Sequence, residues 1–438
     1  MKVLLLDPVG AFTAFAIKLI SLGHEVKQWQ KKLPDGSQSL SGKGIIDRVQ
    51  NWQYYMKWAD IIILADNAYQ MQFLEKYHKE GYPILGSSLE SSYLELRRGK
   101  GQDILKKAGL DVIPGQEFSN YNDAISYVKA NPKRYVSKPN GDVDKALSYV
   151  SDGPEDMLFM LERWKSQGKP KQPFIIQEFV PGIEVAVGGW FGPNGFNKAK
   201  CENFEFKKMM PSNFGVNTGE MGTVVKYMKQ SKLFDETLSL LEDYLSYLDY
   251  TGYVDLAFIV DGKGSPRPLE WTTRPGWPLF NIQDCLHRNE DPLEWMLDLI
   301  EGKDSLKVSN KVAVGHVVAI PDFPITKTTG RDPTGYPIYG LEKIWDDVKL
   351  CEVMTGKGPV MSGNKIVEEP MLVTAGDYIL ISTGTGDTVK EAAEKSLKIA
   401  KEVKIPNSKI VRDDIGERLE KELPKLQSYG FCTDVEYQ

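Results

Sequence analysis

Histidine and cysteine are scarce in this chain of 438 residues, with four of each. Cys201, Cys285, Cys351 and Cys432 stand far apart, with neither a CxxC pair nor metal-ligand spacing. That excludes a disulfide framework or a zinc ribbon and makes reduced, cytoplasmic thiols the expectation. His24, His78, His287 and His316 fall into no Ser-His-Asp or Cys-His pattern, so they read as structural or surface side chains. No apolar run is long enough to span a bilayer. The opening MKVLLLDPVGAF carries an acid in its apolar run and no cleavage signature, so it reads as a first strand. Basic residues are not in excess: 54 Lys and Arg stand against 60 Asp and Glu, a net charge of −6. Nucleic acid and anionic membrane both reward a basic face, so neither is expected as the main partner. An anionic substrate must then be held by a local cationic site. The first βα turn has the single Gly10 and no G-x-G-x-x-G, which disfavours a nicotinamide dehydrogenase.

The chain is too long for one core, so two or three domains are expected. Its centre is YVDLAFIVDGKGSPRPLEWTT, from Tyr253 to Thr273, two β-rich runs about a turn. If the hairpin folds about Gly262 and Lys263, Asp255 lies close to opposite Glu270, with Cβ atoms about 5 Å apart. Two carboxylates that near each other share a proton or hold a cation. Thr272 follows Glu270 by two and points to the same face. Oxygen ligands of this kind suit Mg²⁺, which takes its other ligands from water and substrate phosphates. The other reading, two acids solvated on an open sheet face, is disfavoured by their apolar neighbours.

Before the hairpin, KVLLLDPVGAFTAFAIKLISLGHEV starts a βαβ unit, and ADIIILADN and YPILGS add strands, giving an open α/β sheet up to about residue 95. From 92 to 115 the chain reads as a basic helix carrying Arg97, Arg98 and Lys100, by composition alone more often a solvated face than a site. Lys138 ends an apolar strand beside a PNGD turn and can reach a polyphosphate as a point charge. In FIIQEFVPGIEV a buried strand runs through Gln177, Glu178, Phe179 and Val180, breaks at Pro181-Gly182 and resumes with Glu184. Edge backbone groups at 177–180 can pair with a heteroaromatic ring and Glu184 with sugar hydroxyls; a plain hinge between subdomains is the other reading. Asn217, Thr218 and Gly219, with Gly222, form a loop of small donors able to approach an anion. KLFDETLSLLEDYLSYLDY at 232–250 has helical spacing, and beyond about 311 strands alternate with helices, suggesting a separate α+β lid.

The order and spacing of IIQEFVPGIEV, NTGEMG, LEWTTRPG, GTGDTVKEA and RDDIGERL resemble the ATP-grasp family, and within it the phosphoribosylamine–glycine ligases. The resemblance implies a multidomain α/β and α+β fold: an N-terminal open parallel sheet domain at 1–95, an ATP-grasp domain at 96–310 with a mobile lid at about 115–185, and a C-terminal β-rich α+β domain at 311–438. It implies ATP and Mg²⁺ (or Mn²⁺), small-molecule amine and carboxylate substrates, a monomer or homodimer, and ligation through an acyl phosphate in purine biosynthesis. On this resemblance Gln177 to Val180 hold adenine, Glu184 the ribose, and Lys138 with Arg98 or Lys100 the phosphates. Glu205 and Lys207 stand in the family's Asp-His-Lys run, Lys207 and Arg274 act catalytically, and Asn217, Thr218, Gly219 and Glu205 bind substrate. Glu270 is the metal glutamate, Thr272 stands where the family has asparagine, and Asp255 is similar to the strand acid of other ATP-grasp ligases.

Several positions depart from the family pattern. Asp7-Pro8-Val9-Gly10-Ala11-Phe12 lacks the arginine and histidine of the family's first loop. Arg274-Pro275-Gly276-Trp277-Pro278-Leu279 lacks two acids, and the phosphate loop is thinned to Gly141-Asp142-Val143-Asp144. These departures leave open a ligase of the same fold joining a different amine and acid, or an ATP-binding protein with a decayed centre.

Overall fold

A computed structural model describes residues 1–33, 35–140, 148–168, 173–325, 329–406 and 408–438. The first strands, β1 (Lys2–Leu6), β2 (Glu25–Trp29), β3 (Asp47–Val49), β4 (Ile61–Leu64) and β5 (Ile84–Leu85), form a parallel sheet in the order β3-β2-β1-β4-β5. Both faces of β1 and β4 are covered, which explains their unbroken apolar runs. Val3, Leu5, Ile61 and Ile63 enter one core with Phe15 and Leu19 of helix α1 (Thr13–Ser21), while Leu4, Leu6, Ile62 and Leu64 enter another with Trp52 and Leu74.

The sequence from 92 to 115 predicts one basic helix. Two are present after helix α2 (Met71–Lys79): α3 (Leu89–Leu96) and α4 (Arg98–Lys107), meeting at Arg97, whose φ −113 and ψ 83 are not helical. A smaller antiparallel sheet follows, β6 (Gly115–Phe118), β7 (Tyr135–Pro139), β8 (Tyr149–Val150) and β9 (Phe174–Glu178), in the order β6-β9-β7-β8. Helices α5 (Tyr121–Ala130) and α6 (Pro154–Ser166) pack on it through Ile125, Val128, Met157, Leu161 and Trp164, giving this unit a core of its own.

The largest sheet is antiparallel and contains β10 (Gly182–Gly192), β11 (Gly195–Glu205), β12 (Gly222–Met228), β13 (Gly252–Asp261), β14 (Pro266–Thr272), β15 (Val312–Ala319), β16 (Val348–Leu350) and β19 (Tyr378–Gly386), in the order β14-β13-β10-β11-β12-β15-β19-β16. A hairpin of β17 (Val353–Ser362) and β18 (Lys365–Thr374) stands beside it. Past residue 311, β15, β16 and β19 thus complete the central sheet, and only the β17–β18 hairpin stands apart. Strand alternation decides its two faces. Val185, Val187, Phe204, Leu256 and Phe258 enter the main core on one face. The other face carries Glu184, Ala186 and Gly188 on β10, level with Ile259, Ala257 and Asp255 on β13, and Asn203 and Cys201 on β11 level with Ala186 and Gly188. Gly188 on that face is packed closely by Tyr253 and Asp255.

The single helix predicted at 232–250 is broken at Thr237 (φ −134, ψ −82) into Lys232–Glu236, a tight turn Leu238–Leu241, and Glu242–Tyr247. The break lets Leu233, Phe234, Leu238, Leu241 and Leu245 all enter the main core.

Candidate nucleotide site

The hairpin of β13 and β14 does not have the register expected from its sequence. Asp255 faces Thr272 and Ala257 faces Glu270, with an irregularity between Ala257 and Phe258. The turn is longer than two residues, closed by Asp261 accepting from Lys263 N (2.8 Å) and Ser265 N (3.0 Å). Leu269 is then the extra residue of a bulge next to Pro268, which has no N–H for the ladder. Asp255 and Glu270 therefore share a face but sit diagonally, in different surroundings. The expectation of two facing carboxylates gripping one cation is corrected on this ground.

Glu270 opens onto a cleft of about 570 Å³ between the β6–β9 unit and the central sheet. A cavity of this size suits a nucleotide-sized ligand. Thirteen of the residues singled out in the sequence line it: Arg98, Lys138, Gln177, Glu178, Phe179, Val180, Glu184, Glu205, Lys207, Asn217, Thr218, Gly219 and Glu270. At its hinge end Glu178 N donates to Pro114 O (2.8 Å) and Phe179 N to Arg134 O (2.9 Å), so these two edge amides are already used. The Val180 N–H meets no acceptor among the described residues. Arg134 lies over the Phe179 ring, 3.6 Å from its centroid, and Ile113, Val136 and Leu269 add an apolar lining.

At the other end a single ammonium organises three acids. Lys207 Nζ lies 2.7 Å from Glu184, 2.8 Å from Glu205 and 3.4 Å from Glu270. Glu184 and Glu205 lie on neighbouring strands of one face, each level with the other's strand, and Lys207 follows Glu205 by two. Burial pulls the Lys207 ammonium down, but the three carboxylates outweigh it and hold it well above its ordinary value. Burial likewise pushes Glu270 up, and Lys207, Arg98 and Lys138 overcome it, holding the carboxyl well below its usual range. Glu184 is also held below its usual range, by Lys207 and Arg418 against burial. Of the two basic candidates of α4, Arg98 is the one that reaches the cleft: it donates to Glu270 (2.6 Å) and to Pro139 O (3.0 Å). Lys100 instead pairs with Glu90 at 2.6 Å, away from the cleft.

Lys138 carries the strongest signal. Its half-buried ammonium makes no hydrogen bond or ion pair among the described residues. Burial lowers it to about 8, only partly opposed by Glu270. A buried cation without a partner costs free energy until an anion arrives. Asn217 Nδ2 donates to Ser148 O (2.9 Å) and Thr218 Oγ1 to Lys207 O (2.8 Å), so the small-donor loop is tied to both sides of the cleft.

Besides Lys100, three predicted site residues do not line the cleft. Arg274 pairs with Glu95 of α3 (3.1 Å), which also accepts from Thr273 N (2.9 Å) and Asn67 Nδ2 (2.8 Å). Thr272 lies opposite Asp255 in the hairpin. Asp255 is buried, and its Oδ2 accepts from Asn203 Nδ2 (2.8 Å) and Tyr253 Oη (2.9 Å). Gly141 to Asp144, the thinned phosphate loop, lie outside the described residues. The four histidines also lie away from the cleft.

Sequence reading missed what the far end of the chain contributes. Arg418 and Glu422 line the cleft, with Arg418 donating to Glu184 O (3.3 Å) and Glu205 O (3.4 Å). Arg412 is fully buried and bonds Lys208 O (3.0 Å), Asn213 Oδ1 (2.9 Å) and Asp414 (2.5 Å), pinning the loop after Lys207. RDDIGERL was visible as a motif, but nothing local showed which wall it builds.

No protein-family model matches the chain. Its curated relatives include the phosphoribosylamine–glycine ligase of Haemophilus influenzae, 24% identical over 372 residues, covering 80% of this chain and 81% of that protein. That of Salmonella typhimurium is 23% identical over 367 residues, covering 79% and 80%. Among solved structures, phosphoribosylamine–glycine ligase from Thermotoga maritima gives a TM-score of 0.71 at 20% identity, covering 95% of this chain and 100% of that one. An L-amino acid ligase from Bacillus licheniformis gives 0.58 at 14% identity, covering 93% and 99%. With a nucleotide-sized cleft between a small sheet and a long antiparallel one, these likenesses give the chain the ATP-grasp fold and make it a distant sequence relative of the phosphoribosylamine–glycine ligases.

Proposed function

We propose that the chain is an ATP-dependent carboxylate–amine ligase of the phosphoribosylamine–glycine ligase type, acting in purine biosynthesis. The observation that carries this is the Lys138 ammonium, without a hydrogen bond or ion pair among the described residues, in a cleft where Lys207 and Arg98 stand beside an ionised Glu270. That charge pattern fits the phosphates of ATP. Adenine packs among Phe179, Val136 and Leu269 with Val180 N–H as donor, and Glu184 takes the ribose hydroxyls. Lys138, Arg98 and Lys207 stabilise charge on the transferring phosphoryl group.

Of the three metal candidates, only Glu270 faces the cleft, and it is ionised as a ligand must be. Mg²⁺ keeps several waters and binds through one or two carboxylates plus phosphates, so Glu270 fits as its protein ligand. When bound, the metal supplies charge neutralisation at the phosphates. The protein's own part is to position the substrate carboxylate against the γ-phosphate, exclude water from the resulting acyl phosphate, and present the amine that displaces phosphate.

The unit from about 115 to 185 acts as the closing lid and residues 1–95 as a separate lobe; the boundary near 311 changes role rather than sheet. The test is ADP release with Mg²⁺, ATP, glycine and phosphoribosylamine. ¹⁸O placed in the glycine carboxylate should appear in the released phosphate. ADP release without ¹⁸O transfer would rule out carboxylate activation.

A further inference from the structure

The hairpin of β17 and β18 stands apart from the central sheet, and its far half is largely exposed. A two-stranded ribbon alone is marginal in water. This one exposes Met361 by 67% and Ile366 by 73%, an apolar couple directly paired beside its turn. Its backbone directions follow from its base. On the outer edge of β17, Thr355 N donates to Lys43 O (2.9 Å). On that of β18, Ile338 N donates to Leu372 O (3.0 Å), Thr374 N to Tyr336 O (2.9 Å) and Gly335 N to Thr374 O (2.8 Å). Thr374 and Leu372 therefore turn their polar backbone groups away from β17. The ladder has no register shift, so Pro370, Glu368 and Ile366 do the same. Pro370 has no N–H and ends the paired stretch. Beyond it the N–H and C=O groups of Glu368 and Ile366 meet no partner among the described residues. The β17 edge is better closed: Pro359 has no N–H, and its carbonyl accepts from Tyr339 Oη (2.9 Å).

We propose that this free edge pairs with the same edge of a second copy of the chain, β18 against β18, about a two-fold axis at Val367. The edge, Lys365-Ile366-Val367-Glu368-Glu369, is complementary to itself in that antiparallel register. Ile366 faces Glu368 of the copy and Glu368 faces its Ile366. All four turn their N–H and C=O groups outward, so each facing pair exchanges both backbone bonds. Lys365 faces Glu369 of the copy and Glu369 faces its Lys365, giving two opposite-charge pairs across the axis. Val367 faces its own counterpart. Val360 is level with Val367 inside each ribbon, so four valines form one row across the joined four-stranded sheet. The neighbouring registers that keep the outward groups facing are poorer. One sets Glu368 against Glu368, a like-charge pair, and the other sets Lys365 against Val367 and loses the ion pairs. The contact is isologous and closes after two chains. Its small area makes the dimer a weak one.

The inference stands independently of the ligase reading, since no residue of the hairpin lines the cleft. Sedimentation velocity on the full chain tests it: wild type should pass from monomer to dimer between about 2 and about 200 μM. Glu368→Pro removes only an outward N–H, leaves the ladder to β17 intact and should weaken dimerisation at least about tenfold. Lys365→Glu and Glu369→Lys each create two like-charge pairs and should weaken it by about as much. Combined, they should restore association to within about threefold of wild type. Val367→Cys should cross-link two copies under mild oxidation, because residues facing each other without backbone bonds lie about 4.5 Å apart at Cα, within disulfide reach. Wild type, whose cysteines are buried or half-buried, is the control. Unfolding midpoints report that the variants are intact. Should the proline variant not fold, the charge variants on exposed Lys365 and Glu369 still decide. A monomer at every concentration overturns the inference. So does a dimer indifferent to these substitutions, a double charge variant no better than the single ones, or no cross-link through Val367→Cys.

Discussion

Lys138 is the residue on which nucleotide binding can be tested most quantitatively. Its ammonium is pulled from 10.5 to about 8 by burial, with Glu270 opposing and Arg98 and Lys207 adding to the pull. In the free protein about one tenth of molecules then carry a neutral Lys138 at pH 7, about half at pH 8 and about nine tenths at pH 9. Phosphate oxygens at this position favour the protonated form, so ATP binding must return the missing proton. Uptake should be about 0.1 proton at pH 7, about 0.5 at pH 8 and about 0.9 at pH 9. The sign follows: affinity is flat below pH 8 and falls about tenfold per unit above it, or about 1.4 kcal/mol per unit. Calorimetry of Mg²⁺–ATP binding in buffers of different ionisation enthalpy reads the uptake directly. Lys138→Arg keeps a charge that does not titrate and should abolish the pH-dependent part, whereas Lys138→Met should abolish it and also weaken binding. Uptake that stays constant from pH 7 to 9, or survives in Lys138→Arg, refutes the reasoning.

Lys207→Met removes the cation shared by Glu184, Glu205 and Glu270. The expected loss in kcat is about 100- to 1000-fold in an ADP-release assay, the usual effect of deleting one preorganised charge donor; a loss under about tenfold would place Lys207 outside the reaction. Arg412→Ala leaves Asp414 and the 208–213 loop without their buried partner and should cost about 3 kcal/mol in urea unfolding while raising the KM for ATP. An unchanged KM in a destabilised variant would reduce Arg412 to a structural role.

Much of the fold was open to reading because local pattern and global burial agree. The two-sided apolar runs of β1 and β4, the strand–Pro-Gly–strand break before Glu184 and the apolar hairpin strands all appear where their sequences suggest. That Gln177 to Val180 and Lys138 line one cleft was legible for the same reason, since they lie at strand ends whose direction the strand itself determines. What failed to show were choices made between distant segments. The one-residue bulge at Leu269 moves Asp255 away from Glu270, and nothing in the hairpin's composition counts that residue. Arg97 breaks a run that reads as one helix, and so decides that Arg98 rather than Lys100 reaches Glu270. Arg274 looked like a cleft residue until Glu95, far back in the chain, was seen to hold it. Arg418 reaches carbonyls more than two hundred residues earlier, a contact with no local signature.

The measurement that bears most directly on the central claim is a crystal structure of the full chain with Mg²⁺ and a non-hydrolysable ATP analogue. The account predicts adenine at the Val180 amide, the phosphates between Lys138 and Lys207, and the metal on Glu270 but not on Asp255. A nucleotide bound outside this cleft, or a metal coordinated by Asp255 with Glu270 still locked to Arg98 and Lys207, would contradict it.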